Sequence, residues 1–211
     1  MLSTIFAPFE KICESVVFWQ LSYHKQNGHA GVTKSVVWYN LLMKKYLITS
    51  HDYHSDSQKL FTQKLELQFL KYKPDYALFR DEQTDAYVSL AQEFVSLCKK
   101  HGVKSFLHKD KVLAKELGAF GVHLKSSQFS ELGDAVMMCE NVIISTHNED
   151  EVLRAQEMGV YAVTYSPIFA TPNKGEPKGV GELARLCKRV GVRVFALGGV
   201  MTHEQVELVA T

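Results

Sequence analysis

The rhythm of apolar and polar residues changes at Met43. From there, short runs rich in Val, Ile, Leu and Phe alternate with stretches in which apolar residues recur every three or four positions. The runs at 46–50, 76–80, 104–108, 121–125, 142–147, 162–168 and 192–197 predict strands, because strands buried on both faces read as nearly continuous apolar segments. Between them, Tyr87, Leu90, Ala91, Phe94 and Leu97 recur at helical spacing, and Thr84 is placed to cap that helix. Asn148 with Glu151, and Thr202 with Gln205, have the spacing of capping boxes. Leu183, Leu186, Cys187 and Val190 form another helical stripe, which Gly191 is expected to stop.

Seven strand–helix units of roughly 24 residues predict an α/β fold of the TIM (β/α)8-barrel type, with an open doubly wound sheet as the alternative. The pattern lacks an eighth βα unit, since only one short helix follows Val200. A seven-stranded barrel would leave two unpaired strand edges. Residues 1–42 stand apart from the barrel domain at 43–211. They hold both tryptophans, Trp19 and Trp38, and show no strand–helix alternation. They read as an N-terminal extension of doubtful origin, either upstream of a natural start at Met43 or a helical appendage covering the bottom of the domain. The extension is one candidate to fill the eighth place, though nothing in its pattern shows that it does.

Composition narrows the function classes. The 211 residues are 46% hydrophobic and 22% charged, with a formal net charge of +1, which leaves no electrostatic footprint for nucleic acid or a membrane surface. Cys13, Cys98, Cys139 and Cys187 form no CxxC pair, which argues against a zinc ribbon or redox motif and fits reduced thiols in the cytoplasm. No segment approaches the roughly 18 apolar residues of a membrane span. The first residues lack a basic region, and Glu10, Lys11 and Glu14 interrupt their apolar character. A soluble cytoplasmic protein is expected, with neither nucleic acid nor membrane as partner and with a homo-oligomer left open.

Candidate chemistry collects where strands end, the place at which parallel α/β folds bind ligands. His147 shares strand parity with Ser145, which puts its imidazole on that rim. A histidine there can take and return a proton near neutral pH, and the competing reading is a histidine bonded to loop backbone. His51, His108 and His123 join it near the rim, but the chain has neither HxH nor HExxH, so a metal cluster is the weaker reading. Gly198 and Gly199 precede the helix capped by Thr202, where bare backbone amides can approach an anion or simply make a tight turn. The loop at 169–179 carries Thr171, Lys174 and Lys178, donors suited to a phosphorylated ligand and equally normal in a solvated loop. Arg80 ends the second of these strands, placed for anion recognition or for a structural pair with Asp81 or Glu82.

In order and spacing these pieces resemble the thiamine phosphate synthase / thiazole tautomerase (TenI-type) superfamily over residues 45–211. The resemblance rests on Leu78-Phe79-Arg80-Asp81-Glu82, Asp110 with Gly121-Val122-His123-Leu124, and Ser145-Thr146-His147. It continues through Ser166-Pro167-Ile168-Phe169-Ala170-Thr171-Pro172-Asn173-Lys174 and Ala196-Leu197-Gly198-Gly199-Val200. It implies a TIM barrel that binds a phosphorylated thiazole, with His147 as general acid/base. Arg80, Ser145, Thr171, Lys174, Gly198 and Gly199 are then the substrate- and phosphate-binding residues.

The departures separate the activities. The synthase pattern Q-x-R-x-K becomes Leu78, Arg80 and Glu82, so the residues that grip a pyrimidine diphosphate are lost. N-D-D becomes His108-Lys109-Asp110, and the run after the next strand becomes Lys125-Ser126-Ser127-Gln128, removing both Mg²⁺-ligating carboxylates. Magnesium prefers carboxylate oxygens, and a lysine adds like charge beside it. The expectation is a thiazole tautomerase-like enzyme with no cofactor and no metal ligands. A Mg²⁺-dependent thiamine phosphate synthase and a non-catalytic metabolite-binding barrel are the alternatives. The superfamily's phosphate cup also uses the loop after an eighth strand, which the pattern lacks.

Overall fold

The structure, a computed structural model, describes residues 16–20 by backbone alone, and residues 44–49, 58–81 and 86–210, without the side chains of residues 203 and 210. Strands β1 (Val16–Gln20) and β2 (Lys44–Ile48) lead to α1 (Gln58–Tyr72), β3 (Tyr76–Phe79) and α2 (Tyr87–His101). Then come β4 (Lys104–His108), α3 (Lys111–Glu116) and β5 (Gly121–Leu124). A 3-10 turn (Ser126–Glu131) enters α4 (Leu132–Met138), followed by β6 (Val142–Thr146) and α5 (Glu149–Glu157). The chain closes its pattern with β7 (Ala162–Tyr165), α6 (Gly179–Arg189), β8 (Arg193–Ala196) and α7 (His203–Ala210).

All neighbouring strands pair in parallel in chain order, β1 to β8, and the sheet curls until β1 lies against β8. The seven strands read from the pattern are β2 to β8, most of them a residue or more shorter at the C-terminal end than the apolar runs suggest. The eighth place, between β8 and β2, is taken by β1, from within residues 1–42. Its Val-Val-Phe-Trp sequence is β-branched and aromatic, the composition of strands. Isolated in a stretch without helical periodicity, it gave no alternation to read.

Strand parity divides the core in two. Ala77, Phe79, Leu107, Val122, Ile144, Val163, Tyr165 and Val194 face outward and pack under the helices. Tyr46, Ile48, Tyr76, Leu78, Phe106, Ile143, Ala162 and Phe195 face inward. The interior is plugged by rings: Tyr46 and Tyr76 meet Phe195 at centroid distances of 5.3 and 5.5 Å, and Phe106 meets Phe120 at 5.5 Å. Lys104 covers Phe120 at 4.9 Å and Arg193 covers Tyr161 at 4.5 Å, so cations close the N-terminal end over aromatic faces.

The helix signals hold with local changes. Helix α2 buries Leu90, Ala91, Phe94 and Leu97 as the spacing predicts, with Tyr87 packed against them. Its cap position is Ala86, without a side-chain cap, while Thr84 lies outside the described residues. Thr202 and Gln205 form the expected reciprocal box: Gln205 N–H donates to Thr202 Oγ1 (3.2 Å), and Thr202 N–H to Gln205 Oε1 (3.0 Å). Gly191 does not stop α6 by a left-handed turn. The helix ends at Arg189, Val190 turns extended, and the Gly191 amide donates to Gln156 Oε1. Cys98 and Cys139 are buried and Cys187 is half-buried, all as free thiols, while Cys13 lies outside the described residues. No helix among the described residues is long and apolar enough to cross a membrane.

Close packing sets a testable limit at the start of β5. A Cβ on Gly121 would sit 2.0 Å from the Asn141 carbonyl oxygen and 2.7 Å from the Phe106 ring, whereas one on Gly175 would meet nothing within 4 Å. Gly121→Ala is therefore expected to lose about 3 kcal/mol in urea unfolding, at the upper end of overpacking costs. Gly175→Ala is expected to stay within about 0.5 kcal/mol of the wild type.

Candidate active site

The C-terminal ends of the strands bring most of the candidate residues onto one arc. At the end of β3 the Arg80 amide donates to Thr49 Oγ1 (2.9 Å), which ties the strand end to its neighbour. The Arg80 side chain is exposed, and its guanidinium forms no ion pair among the described residues, so the structural pair with Asp81 is not made. Asp81 beside it is buried, and Glu82 lies outside the described residues.

His147 follows β6 and is held from two sides. Its backbone N–H donates to Glu151 Oε2 (2.7 Å), and its Nδ1 lies 3.1 Å from the Ser166 carbonyl. The Ser166 hydroxyl is a longer second neighbour of Nδ1 at 3.4 Å. A carbonyl only accepts, so the nearer partner assigns the hydrogen to Nδ1, leaving the Nε2 lone pair as a base. The backbone-bonded histidine and the proton-transferring histidine are thus compatible readings: the bond to Ser166 orients the ring. The α5 cap contributes to this. Asn148 Oδ1 accepts from Glu151 N–H (2.9 Å), but the return arm of the box goes one residue further back than expected, to the His147 amide. Three acidic residues in the first turn of α5 also suit its helix dipole.

Ser166 and Pro167, joined by a cis peptide bond, connect His147 to the glycine pair. Ile168 and Phe169 amides donate to the Leu197 and Gly198 carbonyls (2.9 and 3.0 Å), and Lys178 and Gly179 amides return to Pro167 and Ile168 (2.9 and 3.0 Å). The loop is therefore pinned at both ends. Gly198 and Gly199 have φ of 91° and 69°, and a Cβ on either would fall 2.8 Å from Pro167 or from Phe169 and Ala170. Both glycines are required by this close approach, whatever else their amides do. Thr171 sits against Gly198 and donates its hydroxyl to the Phe169 carbonyl (2.9 Å). Lys174 is exposed at the loop tip, with only its amide turned back to the Thr171 carbonyl (3.2 Å), so the structure does not draw its ammonium onto the arc. Lys178 lies over the outward-facing Tyr165 ring at 5.5 Å.

Beneath the rim lies a polar layer that the sequence reading missed. Tyr46 Oη is 2.9 Å from His123 Nδ1, and His123 Nε2 is 3.1 Å from Ser145 Oγ. His108 stands edge-on to His123 at 6.4 Å. Burial, reinforced by the His108 imidazole and the Arg80 guanidinium, pushes the His123 imidazole down to about 3. The strand parity of Tyr46, His123 and Ser145 is a signal that was present in the sequence. Without strand order, nothing showed that β2, β5 and β6 bring the three together.

Where the resemblance implies magnesium, the donors do not suit it. A cleft of about 470 Å³ opens beside β3 and β4, lined among others by Asp81, His108, Lys109 and Asp110. Gln128 directs its amide nitrogen to the Lys109 carbonyl (3.3 Å) and to Glu131 (3.1 Å), and Lys111 binds Glu131 at 2.9 Å. Asp110 Oδ1 is occupied by the Leu113 amide as the α3 cap (2.9 Å). An N–H donor and two ammonium groups stand among the oxygens, a poor set for a hard dication. Among the described residues no group of three or more His, Cys, Asp or Glu is disposed to hold a metal, and His51 lies outside them.

The chain belongs to the thiamine monophosphate synthase (TMP-TENI) family, whose profile matches residues 45–211. It is 30% identical to a thiamine-phosphate synthase of Helicobacter pylori over 128 residues, covering 56% of this chain and 57% of that protein. It is also 30% identical to one from Thermus thermophilus over 124 residues, covering 57% and 60%. The matched stretch thus spans less than two thirds of these relatives. A solved thiamine phosphate pyrophosphorylase from Pyrococcus furiosus shares the fold, with a TM-score of 0.67, 18% identity and 79% of each chain covered.

The depressed His123 imidazole has a consequence for stability. Well above its unfolded value of about 6.5, His123 is neutral in both folded and unfolded chains and the site contributes no pH dependence. As the pH falls from there toward 3, the unfolded chain takes up a proton that the folded chain does not, so stability is lost. Urea unfolding is expected to show a loss from this site of roughly 3 kcal/mol between about pH 6.5 and about pH 4, and a shallower slope in His123→Asn.

Proposed function

We propose that this member of the thiamine monophosphate synthase family binds a phosphorylated thiazole at the C-terminal rim and moves a proton on it without a metal, in the manner of a thiazole tautomerase. The observation that carries the reading is the fixed ring of His147, with Nδ1 on the Ser166 carbonyl and Nε2 left as a base. In a tautomerisation the Nε2 lone pair takes a proton from one position of the conjugated ligand, the electrons of the broken bond stay in the conjugated system, and the imidazolium returns the proton at another. No redox partner or leaving group is involved. The Gly198–Gly199 turn before the capped start of α7 suits the phosphate, since helix N-termini and bare amides attract anions. Arg80 adds a positive charge across the arc.

A synthase joining hydroxymethylpyrimidine diphosphate to thiazole phosphate is the second reading, favoured by the names of the relatives. The Lys109, Gln128 and Lys111 environment counts against the Mg²⁺ that such a reaction implies. The two readings separate in one assay series. Purified protein is expected to speed the interconversion of the carboxythiazole phosphate tautomers without being slowed by a chelator, and His147→Ala to lose about 10²–10⁴-fold. Absence of acceleration in wild type and variant alike overturns the proposal, and Mg²⁺-dependent pyrophosphate release would establish the synthase instead.

A further inference from the structure

Strand β1 comes from the far end of the chain, and its pairing fixes which of its residues arrives at the rim. It runs parallel to β2, with Phe18 opposite Tyr46 and Gln20 opposite Ile48. Tyr46 and Ile48 belong to the interior set, so Phe18 and Gln20 hold inward register positions. Of the two, only Gln20 carries a hydrogen-bonding group. It is also the last residue of β1, and a parallel barrel brings that end of every strand to the ligand-binding rim.

The height of Gln20 beside β8 follows from the ladders. Its register passes through Ile48, Leu78 and Phe106 to Gly121. Carried on across β6 and β7 at the same offsets, it meets the chain at Gly191, just before β8 begins. A barrel of eight parallel strands closes with a stagger of about eight residues. With β1 against β8, that stagger brings Gln20 level with Gly199. The opposite sense would set it against α6, which is not a strand. Gly199 belongs to the turn packed on Phe169 and Ala170, which leads into the Thr202 cap of α7. A strand from before the barrel domain therefore borders the corner of the rim that suits an anion.

We propose that Gln20 is a phosphate-binding residue, contributed to the rim by the N-terminal strand beside the Gly198–Gly199 turn. A primary amide is a neutral N–H donor, and a phosphate ester accepts such bonds at its oxygens. The strand thereby does two things: it covers the edges that β2 and β8 would otherwise leave open, and it completes the phosphate corner. The assignment rests on the proposed function above, from which it takes the phosphorylated ligand, and it makes β1 part of the binding site.

Calorimetry on the full chain, with thiazole phosphate and with the unphosphorylated thiazole alcohol, tests this. The wild type is expected to prefer the phosphate ester. Gln20→Ala is expected to weaken the ester about tenfold, as one hydrogen bond to a charged group is lost, and to change the alcohol less than about twofold. Gln20→Glu keeps the size of the residue and replaces its donor with a like charge, so it should weaken the ester further than Gln20→Ala does. The placement is read separately in the ligand-free protein. In ¹⁵N spectra both variants are expected to shift the Gly198 and Gly199 amides and to leave Gly191 unmoved, and shifts at Gly191 instead overturn the placement. If the wild type prefers the ester but the variants lose both ligands equally, or neither, the Gln20 assignment falls and the proposed function stands. A wild type without preference for the ester overturns the two together.

Discussion

Closing a parallel sheet on itself creates an interior that side chains must fill, and the filling of this one governs the rest. Tyr46, Tyr76, Phe106 and Phe195 occupy the middle of the barrel in edge and tilted contacts. Such large rings leave room for a glycine on β5, where Phe106 and the Asn141 carbonyl occupy the space of a side chain. The same packing buries the Tyr46 hydroxyl, which must then find an acceptor inside the protein. It finds His123, and His123 finds Ser145. Core and site are in this way one structure: the top of the aromatic plug is the floor of the rim.

The rim repeats this economy of shared contacts. Ser166 orients His147 through its carbonyl, and Pro167 next to it packs on Gly198. Glu151 both belongs to the α5 cap and holds the His147 amide. A change at any of these positions is felt at the others, which makes the half of the site built on β6, β7 and β8 rigid. The half built on β3, β4 and β5 has a different character. There Lys111, Gln128 and Glu131 pair with one another, and Gln128 also donates to the Lys109 carbonyl, leaving an internally paired cleft rather than a set of open carboxylates.

Much of this was legible in the sequence, for physical reasons that also mark the limits. Strands buried on both faces announce themselves as apolar runs, so β2 to β8 could be read, and Ser145 with His147 follows from a period of two. The Thr202–Gln205 cap was legible because it is local. Strand β1 was not, because a single five-residue run says nothing about where it pairs until the gap beside β8 is known. The glycine pair was read for its amides, whereas the structure adds a contact with residues some 30 positions earlier that no local pattern contains. The Tyr46–His123–Ser145 chain joins three strands and depends on register rather than composition.

Proton transfer at His147, rather than bond formation assisted by a metal, is the chemistry this rim is proposed to perform. Its most direct measurement is the uptake of solvent deuterium into the carboxythiazole phosphate, followed by NMR in D₂O with a chelator present. Label is expected to enter the carbon that gains a proton with wild-type protein, and only at the buffer rate with His147→Ala. Label entering at the same rate in both, or only when Mg²⁺ is supplied, contradicts proton transfer at His147.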